Sequence, residues 1–407
     1  MQNANGKNAK LIKIHNRSLA LRIIQQNSGI SRKDIATLTG LTQATITKIT
    51  RDLLEQGLIQ ETDNEDTSTS SGRKPIGLTI NREKYKIIAV YAGRRTLKSA
   101  LFDLAGNLLY QHECQVSMLN QDSRTIVQAV KECIQKILQG YPLTLSDVLG
   151  IGVSAPGPIN AQKGILLGSG ETGRTTSSAA PFDWRDVPIK QAIQEQFGIQ
   201  VFADNDANVS ALAESWFGYG VGVSNFVLYS IGVGIGAGVI IDGMLYRGED
   251  DVVAEIGHIT VDAHGAQCIC GNFGCLELYG SFADLVCQYQ KAAADTSLSS
   301  IESLFQAAGS GYASARSLIQ QKAHYLGIGA VSLANIFSPE YVFVAPNDID
   351  DVDLSMIVAE LQESVKKRAF SVIANKVTVL PSKLGKDIHL YGGVALVLQD
   401  FFQMLPP

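Results

Sequence analysis

Cys268, Cys270 and Cys275 fall within one short segment, Cys-Ile-Cys-Gly-Asn-Phe-Gly-Cys, and His258 lies just upstream of it. Three thiolates and one imidazole make a closed tetrahedral donor set, the kind that structural zinc takes, with no position open for catalysis. The intervening glycines permit the sharp loop that chelation needs. In a chain without a secretion signal, such a cluster points to metal binding and not to disulfides. Cys114, Cys133 and Cys287 are scattered and read as small core residues.

Four further segments have the glycines, carboxylates and amides of a ligand site. Ile151-Gly-Val-Ser-Ala-Pro-Gly-Pro-Ile159 is a strand running into a turn, with Gly157 at its centre. Asp204-Asn205-Asp206-Ala207-Asn208 follows a strand and opens a helix. Tyr229-Ser-Ile-Gly-Val-Gly-Ile-Gly-Ala-Gly-Val239 is a glycine-rich strand turn, and Glu255-Ile-Gly-His258 follows it. Glu277 closes the cysteine segment.

Elements that could touch DNA stand at the other end of the chain. Helical patterns are predicted over Arg17–Asn27, from Ser31 to Thr39, and from Thr42 onward, with Ser31 and Thr42 as N-caps. Leu19, Leu21, Ile23 and Ile24, then Ile35, Ala36 and Leu38, then Ile46, Ile49, Leu53 and Leu54 supply the inner faces. Two helices joined by the short turn Gly40-Leu41 form a helix-turn-helix. Its outward set is predicted to place Gln43, Thr45 and Thr47 near base edges and Lys48 and Arg51 near phosphates. Ser31 and Arg32, at the start of the preceding helix, join the expected contacts. Strands at Leu58–Glu61 and Ile76–Ile80 would then form a wing, with Arg73 and Lys74 reaching the backbone or minor groove.

Charge supports that division. Residues 1–85 carry 13 Lys+Arg against 8 Asp+Glu, a net of +5, and the remainder carries 21 against 31, a net of −10. A basic module on an acidic body suits a DNA-binding head on an effector domain. With 45% hydrophobic and 18% charged residues, the chain has the composition of a large-core globular protein, which excludes a disordered one. No apolar run reaches the ~18–20 residues that span a bilayer. Met1 to Lys13 lack an apolar h-region, so a cytoplasmic protein without membrane insertion is expected.

From Lys86 short apolar strands alternate with helices, an α/β pattern in two halves that suggests two lobes around a cleft. Taken in order, the glycine turns, the Asn205-Asp206 pair, Glu255-x-Gly-His258 and Cys-x-Cys-Gly-x-x-Gly-Cys-x-Glu resemble the ROK family (repressor, open reading frame, kinase). The head followed by Ser-Gly-Arg-Lys-Pro resembles its NagC/XylR-type repressor branch. The resemblance implies a winged helix-turn-helix over residues 1–82 and a two-lobed actin/hexokinase-like ATPase (ribonuclease H-like) domain, its lobes at 83–203 and 204–407. It implies structural Zn2+ at His258, Cys268, Cys270 and Cys275. It also implies sugar contacts from Asn205, Asp206, Glu255, His258 and Glu277, and Gly157 would let the backbone approach the ligand. A sugar hydroxyl both donates and accepts, so bridging carboxylates and amides bind it selectively.

In family kinases Asp206 would be the general base. The phosphate machinery departs from the pattern. Where those kinases carry Asp-x-Gly-Gly-Thr, this chain has Tyr91-Ala-Gly-Arg94-Arg-Thr96; Val233 replaces a threonine, and Ser338–Pro346 lacks a glycine run. Upstream of Trp184 no equivalent of the family's sugar-contacting Asn is visible; Glu171, Arg174 or Thr175 could line the pocket instead, and Arg174 would suit a phosphorylated sugar. These departures predict no catalysis. The expected protein is a sugar-responsive repressor of carbohydrate genes that binds double-stranded operator DNA and a sugar or sugar-phosphate. It would act as a homodimer or homotetramer, with signal passing through Arg82–Ala89. The rival readings are an active sugar kinase with an appended head, and a repressor controlled by a protein partner.

Overall fold

A computed structural model describes residues 9–62, 76–114, 122–167, 186–248 and 251–404. The head opens with α1 (Ala9–Gln26), longer than the predicted Arg17–Asn27 because good helix formers extend it toward the N-terminus. Then come β1 (Ile30–Ser31), α2 (Arg32–Thr39), α3 (Gln43–Glu55), β2 (Ile59–Thr62) and β3 (Gly77–Ile80). Ser31 and Thr42 are N-caps as expected: their hydroxyls accept from Asp34 N and Thr45 N, each at 3.2 Å. Ile35, Ile46, Leu53, Leu58 and Leu78 close one core with Leu21 and Ile24 of α1. Leu38, expected inside, is 62% exposed. At 100° per residue it falls roughly a quarter turn off the stripe made by Ile35 and Ala36.

Among the described residues, the first lobe is a five-stranded sheet of order β10-β7-β4-β5-β6. Its strands are β4 (Lys86–Ala92), β5 (Leu97–Asp103), β6 (Leu108–Cys114), β7 (Val148–Ala155) and β10 (Val201–Asn205), and a small hairpin adds β8 (Ile159–Asn160) and β9 (Ile165–Leu166). β4, β5 and β6 form an antiparallel meander, while β7 and β10 run parallel to β4. α4 (Ser123–Gly140) and α5 (Ile189–Phe197) cover one face through Ile126, Val130, Ile134 and Ile193. α6 (Asp206–Phe217) starts directly from β10.

The second lobe repeats this plan, with sheet order β13-β12-β11-β14-β15 among the described residues. Its elements are β11 (Phe226–Gly232), β12 (Ile235–Ile241), β13 (Met244–Leu245), α7 (Leu276–Gly280), α8 (Leu285–Ala293), α9 (Ile301–Gly309), α10 (Ala313–Phe337), β14 (Tyr341–Asn347), α11 (Ser355–Arg368), α12 (Ser371–Ala374) and β15 (Thr378–Pro381), after which comes α13 (Ile388–Met404). β11 occupies the middle of the sheet, antiparallel to β12 and parallel to β14, which in turn runs parallel to the edge strand β15.

The expected lobe boundary needs correction at both ends. β10 runs on through Asn205 in the first sheet, and α13 returns to pack on β4, β7 and α6. The approach is so close that a Cβ on Gly152 of β7 would lie 2.0 Å from Gly393 O, so glycine is required there. Hydrophobic contacts of Leu390, Val394 and Phe402 on α13 merge with the head's core. α6 and α13 therefore stand between the two sheets and beneath the head.

Candidate functional site

The metal ligands converge. The ligand atoms of His258, Cys268, Cys270 and Cys275 all lie within 4.8 Å of one another. His258 Nδ1 is 3.7 Å from Cys268 Sγ, and Cys270 Sγ is 3.6 Å from Cys275 Sγ. A zinc tetrahedron with Zn–S near 2.3 Å has edges of roughly 3.5–3.8 Å, so the donors fit that ion. The loop is tied by Cys268 N to Asn272 O at 2.7 Å and Gly271 N to Cys268 O at 2.9 Å. Gly274, at φ 64, has no room for a side chain, because a Cβ would sit 1.7 Å from Asp262 O. Asn272 Nδ2 reaches His258 O at 3.1 Å and Cys275 Sγ at 3.3 Å. Burial and mutual crowding push the Cys268 and Cys275 thiols up, so holding them as thiolates requires a cation.

Beside this loop is a cavity of about 110 Å³. Its walls include all six predicted sugar contacts: Gly157, Asn205, Asp206, Glu255, His258 and Glu277. Asn205 caps α6 through Oδ1, which accepts from Ala207 N at 2.9 Å, and its Nδ2 donates to Gly157 O at 3.0 Å. The Gly157 turn at φ 88 is thereby fixed to the start of α6. Asp206 is 5% exposed and accepts from Asn347 Nδ2 at 3.1 Å. Burial raises its carboxyl above the usual range, and nearby Arg94 opposes that shift. Burial likewise raises Glu255. Glu277 Oε2 accepts from Ile235 N at 3.1 Å, tying α7 to the glycine-rich turn.

Asp204, one residue before these contacts, is fully buried and meets Arg247 Nη2 at 2.6 Å. Arg247 also reaches Asp251 at 3.5 Å, and Asp251 Oδ2 accepts from Ala161 N at 3.1 Å. The segment leading to Glu255, which follows β13 of the second lobe, is thus bound to the first lobe.

Comparison with known proteins fits this arrangement. The family model described as "ROK family" matches residues 87–400, and one described as "Winged helix-turn-helix DNA-binding" matches residues 16–60. The chain belongs to the ROK family. It is 30% identical to a xylose repressor from Caldicellulosiruptor bescii, over 97% of this chain and 98% of that protein. A ROK family transcriptional regulator described as a homologue of the Escherichia coli MLC protein superposes with a TM-score of 0.78 at 29% identity, covering 97% of each chain. A ROK family glucokinase from Streptomyces griseus, solved with glucose and AMPPNP, superposes with a TM-score of 0.67 at 26% identity, covering 77% of this chain and 99% of its own.

The turn between β4 and β5 packs against the facing lobe and α13. Tyr91 is buried and stacks on His389 of α13, centroids 4.1 Å apart and planes at 13°. Val233 N donates to Asn347 O at 3.0 Å, so the glycine-rich turn gives its N–H groups at 233 and 235 to the protein. Arg94 lies across that turn: a Cβ on Gly234 would be 2.3 Å from Arg94 Nη1. Asp348, at φ 54, accepts from Arg94 N. Lys98 and Asp350 add an interlobe pair at 2.7 Å. Arg94, Asn347, Asp348 and His389 were not expected as site residues. The arginine in a glycine position and the Asn-Asp pair after Pro346 were the available signals.

In the head, Gln43, Thr47, Lys48 and Arg51 are exposed on α3, and Thr45 is half-buried with its hydroxyl 2.9 Å from Thr42 Oγ1. Two of the expected DNA contacts are engaged within the head itself. Ser31 is 4% exposed and engaged as the α2 cap. Arg32 is held by Glu61 at 2.8 Å and by Thr50 Oγ1 at 3.1 Å, so it braces α2 against α3 and β2. Arg73 and Lys74, and likewise Glu171, Arg174, Thr175 and Trp184, lie outside the described residues.

Proposed function

We propose that this chain is a DNA-binding repressor that senses a sugar in a kinase-like cleft and does not phosphorylate it. One observation carries the reading: the carboxylates and amides expected to hold a sugar line one cavity, while Tyr91 and Arg94, which stand where family kinases carry an aspartate and a glycine, are engaged by His389 and Asp348. Asp206, the base of family kinases, persists as a ligand contact. Tyr91 and Arg94, where family kinases carry an aspartate and a glycine, disfavour the rival kinase reading.

Zn2+ at His258, Cys268, Cys270 and Cys275 would fix the imidazole that also lines the cavity and set the loop that carries Glu277. The sugar side connects to the head through α6. Its first residue is Asp206, and its last turn holds Arg22 of α1 through Ser215 and Trp216. Sugar binding would shift the lobes, move α6, and change how the heads of a homodimer or homotetramer meet a two-fold operator. Such coupling is typically about 1–3 kcal/mol. The short turn of residues 81–85 between β3 and β4 supplies the covalent link, and α1 supplies a packed one.

The test is operator binding with and without a monosaccharide panel, alongside an ATP-coupled assay. The expected result is sugar-dependent release with no turnover. Phosphorylation of any hexose at an ordinary enzymatic rate would replace this reading with the kinase one. Release only by a protein from the same cells, with every sugar inert, would favour a protein-controlled repressor.

A further inference from the structure

Arg94 lies on the turn between β4 and β5 of the first lobe, yet it lines the same cavity as Asp206, Glu255 and Glu277. Its guanidinium reaches over Gly234 in the facing lobe, and its backbone N–H is held by Asp348. The carboxylates of Glu277, Asp206 and Asp348 surround its charge.

We propose that Arg94 is a specificity residue of the effector cavity, which restricts it to an uncharged, unphosphorylated monosaccharide with one hydroxyl bridging Arg94 and Asp206. This rests on the functional reading above and narrows it to a ligand class. The chemistry is complementary at both ends. An ionised carboxylate only accepts and a guanidinium only donates, so a hydroxyl between them satisfies both. A phosphate ester only accepts. It would face Asp206, Glu255 and Glu277 with one guanidinium as counter-charge, and like charges at such distances are strongly disfavoured. Asp348 supports the device from behind: held at φ 54 after β14, it fixes the Arg94 backbone from the second lobe. Filling the cleft from both lobes therefore also selects the ligand.

The test is calorimetric titration of the full chain, zinc-loaded, with D-glucose, D-xylose, N-acetyl-D-glucosamine and their phosphate esters. At least one neutral sugar is expected to bind, and its phosphate at least about 10-fold more weakly. Arg94→Ala should weaken the neutral sugar about 10- to 100-fold, the loss of a charge-assisted hydrogen bond, and Arg94→Lys should lose less. Zinc content and operator affinity without sugar should be unchanged in both variants, which separates a lost contact from misfolding. Two results overturn the proposal: neutral-sugar affinity unaltered in Arg94→Ala, or a phosphate ester that binds tighter than its parent and loses that advantage in the variant. If no sugar of either kind binds the unmodified chain, the functional reading itself fails, and the role of Arg94 with it.

Discussion

The Arg22 guanidinium lies 5.0 Å from the centre of the Trp216 ring, and its Nη2 donates to the Ser215 hydroxyl at 2.8 Å. This joins the first helix of the head to the last turn of α6, which begins at the cavity with Asp206. Arg22→Ala is expected to leave sugar affinity within about twofold while the ratio of operator affinities with and without sugar shrinks toward one. Up to the full coupling of about 1–3 kcal/mol would be lost. Arg22→Lys keeps the charge but not the fork over the ring and should fall between. Fluorescence anisotropy on operator DNA at zero and saturating sugar gives the ratio; an unchanged ratio in Arg22→Ala would remove this route.

The metal loop gives a second prediction. Chelation, or Cys268→Ser, should release one zinc per chain and lower sugar affinity about 10- to 100-fold, the usual effect of losing the partner that orients a liganding group. The melting temperature should fall as well, because binding to the folded ligand set adds its free energy to stability. Elemental analysis paired with sugar titration checks both. Tight sugar binding by a metal-free chain would separate the two sites.

His389 sets a pH dependence. Burial pushes its imidazole down to about 4 from an ordinary value of 6.5. Unfolded, the ring takes its proton near 6.5; folded, only near 4. Its contribution is therefore complete above pH 6.5 and is lost as pH falls through about 4. The gap amounts to about 3 kcal/mol at most. Asp204, Asp206 and Asp348 are shifted up by burial and act in the opposite sense on acidification. The comparison that isolates the ring is urea unfolding of the unmodified chain and His389→Gln between pH 7 and 4. The variant should lose less stability over that interval; equal slopes would refute the assignment.

On α3, Lys48→Ala should weaken binding to all DNA sequences alike and reduce the salt slope by about one. Gln43→Ala should instead cost about 1–3 kcal/mol at the operator and relax preference at one base pair. Competition binding over a salt series distinguishes them. A sequence-selective effect of Lys48→Ala would mean that it contacts a base.

The parts legible in the sequence were those fixed by local chemistry. Ser31 and Thr42 cap the helices they precede, and the cysteine segment closes on His258. What escaped depended on distant partners. Nothing local tells that α13 belongs to the first lobe, since its neighbours Gly152 and Ala89 are hundreds of residues away. Arg94 read as a missing glycine because its consequence lies across the cleft at Gly234 and Asp348. Arg32 read as a surface cation because Glu61 and Thr50 meet it only when the head is folded.

The return of Ile388–Met404 onto β4 and β7 bears on how the chain is made. The ribosome makes the piece that the first lobe requires only after the second-lobe sheet, so that lobe stays open along one face until synthesis has passed residue 388. The head is finished early but sits against the same helix. Until that helix arrives, a nascent chain carries a finished head with no body to govern it, and mutations that slow α13 docking would first appear as deregulated, protease-sensitive protein.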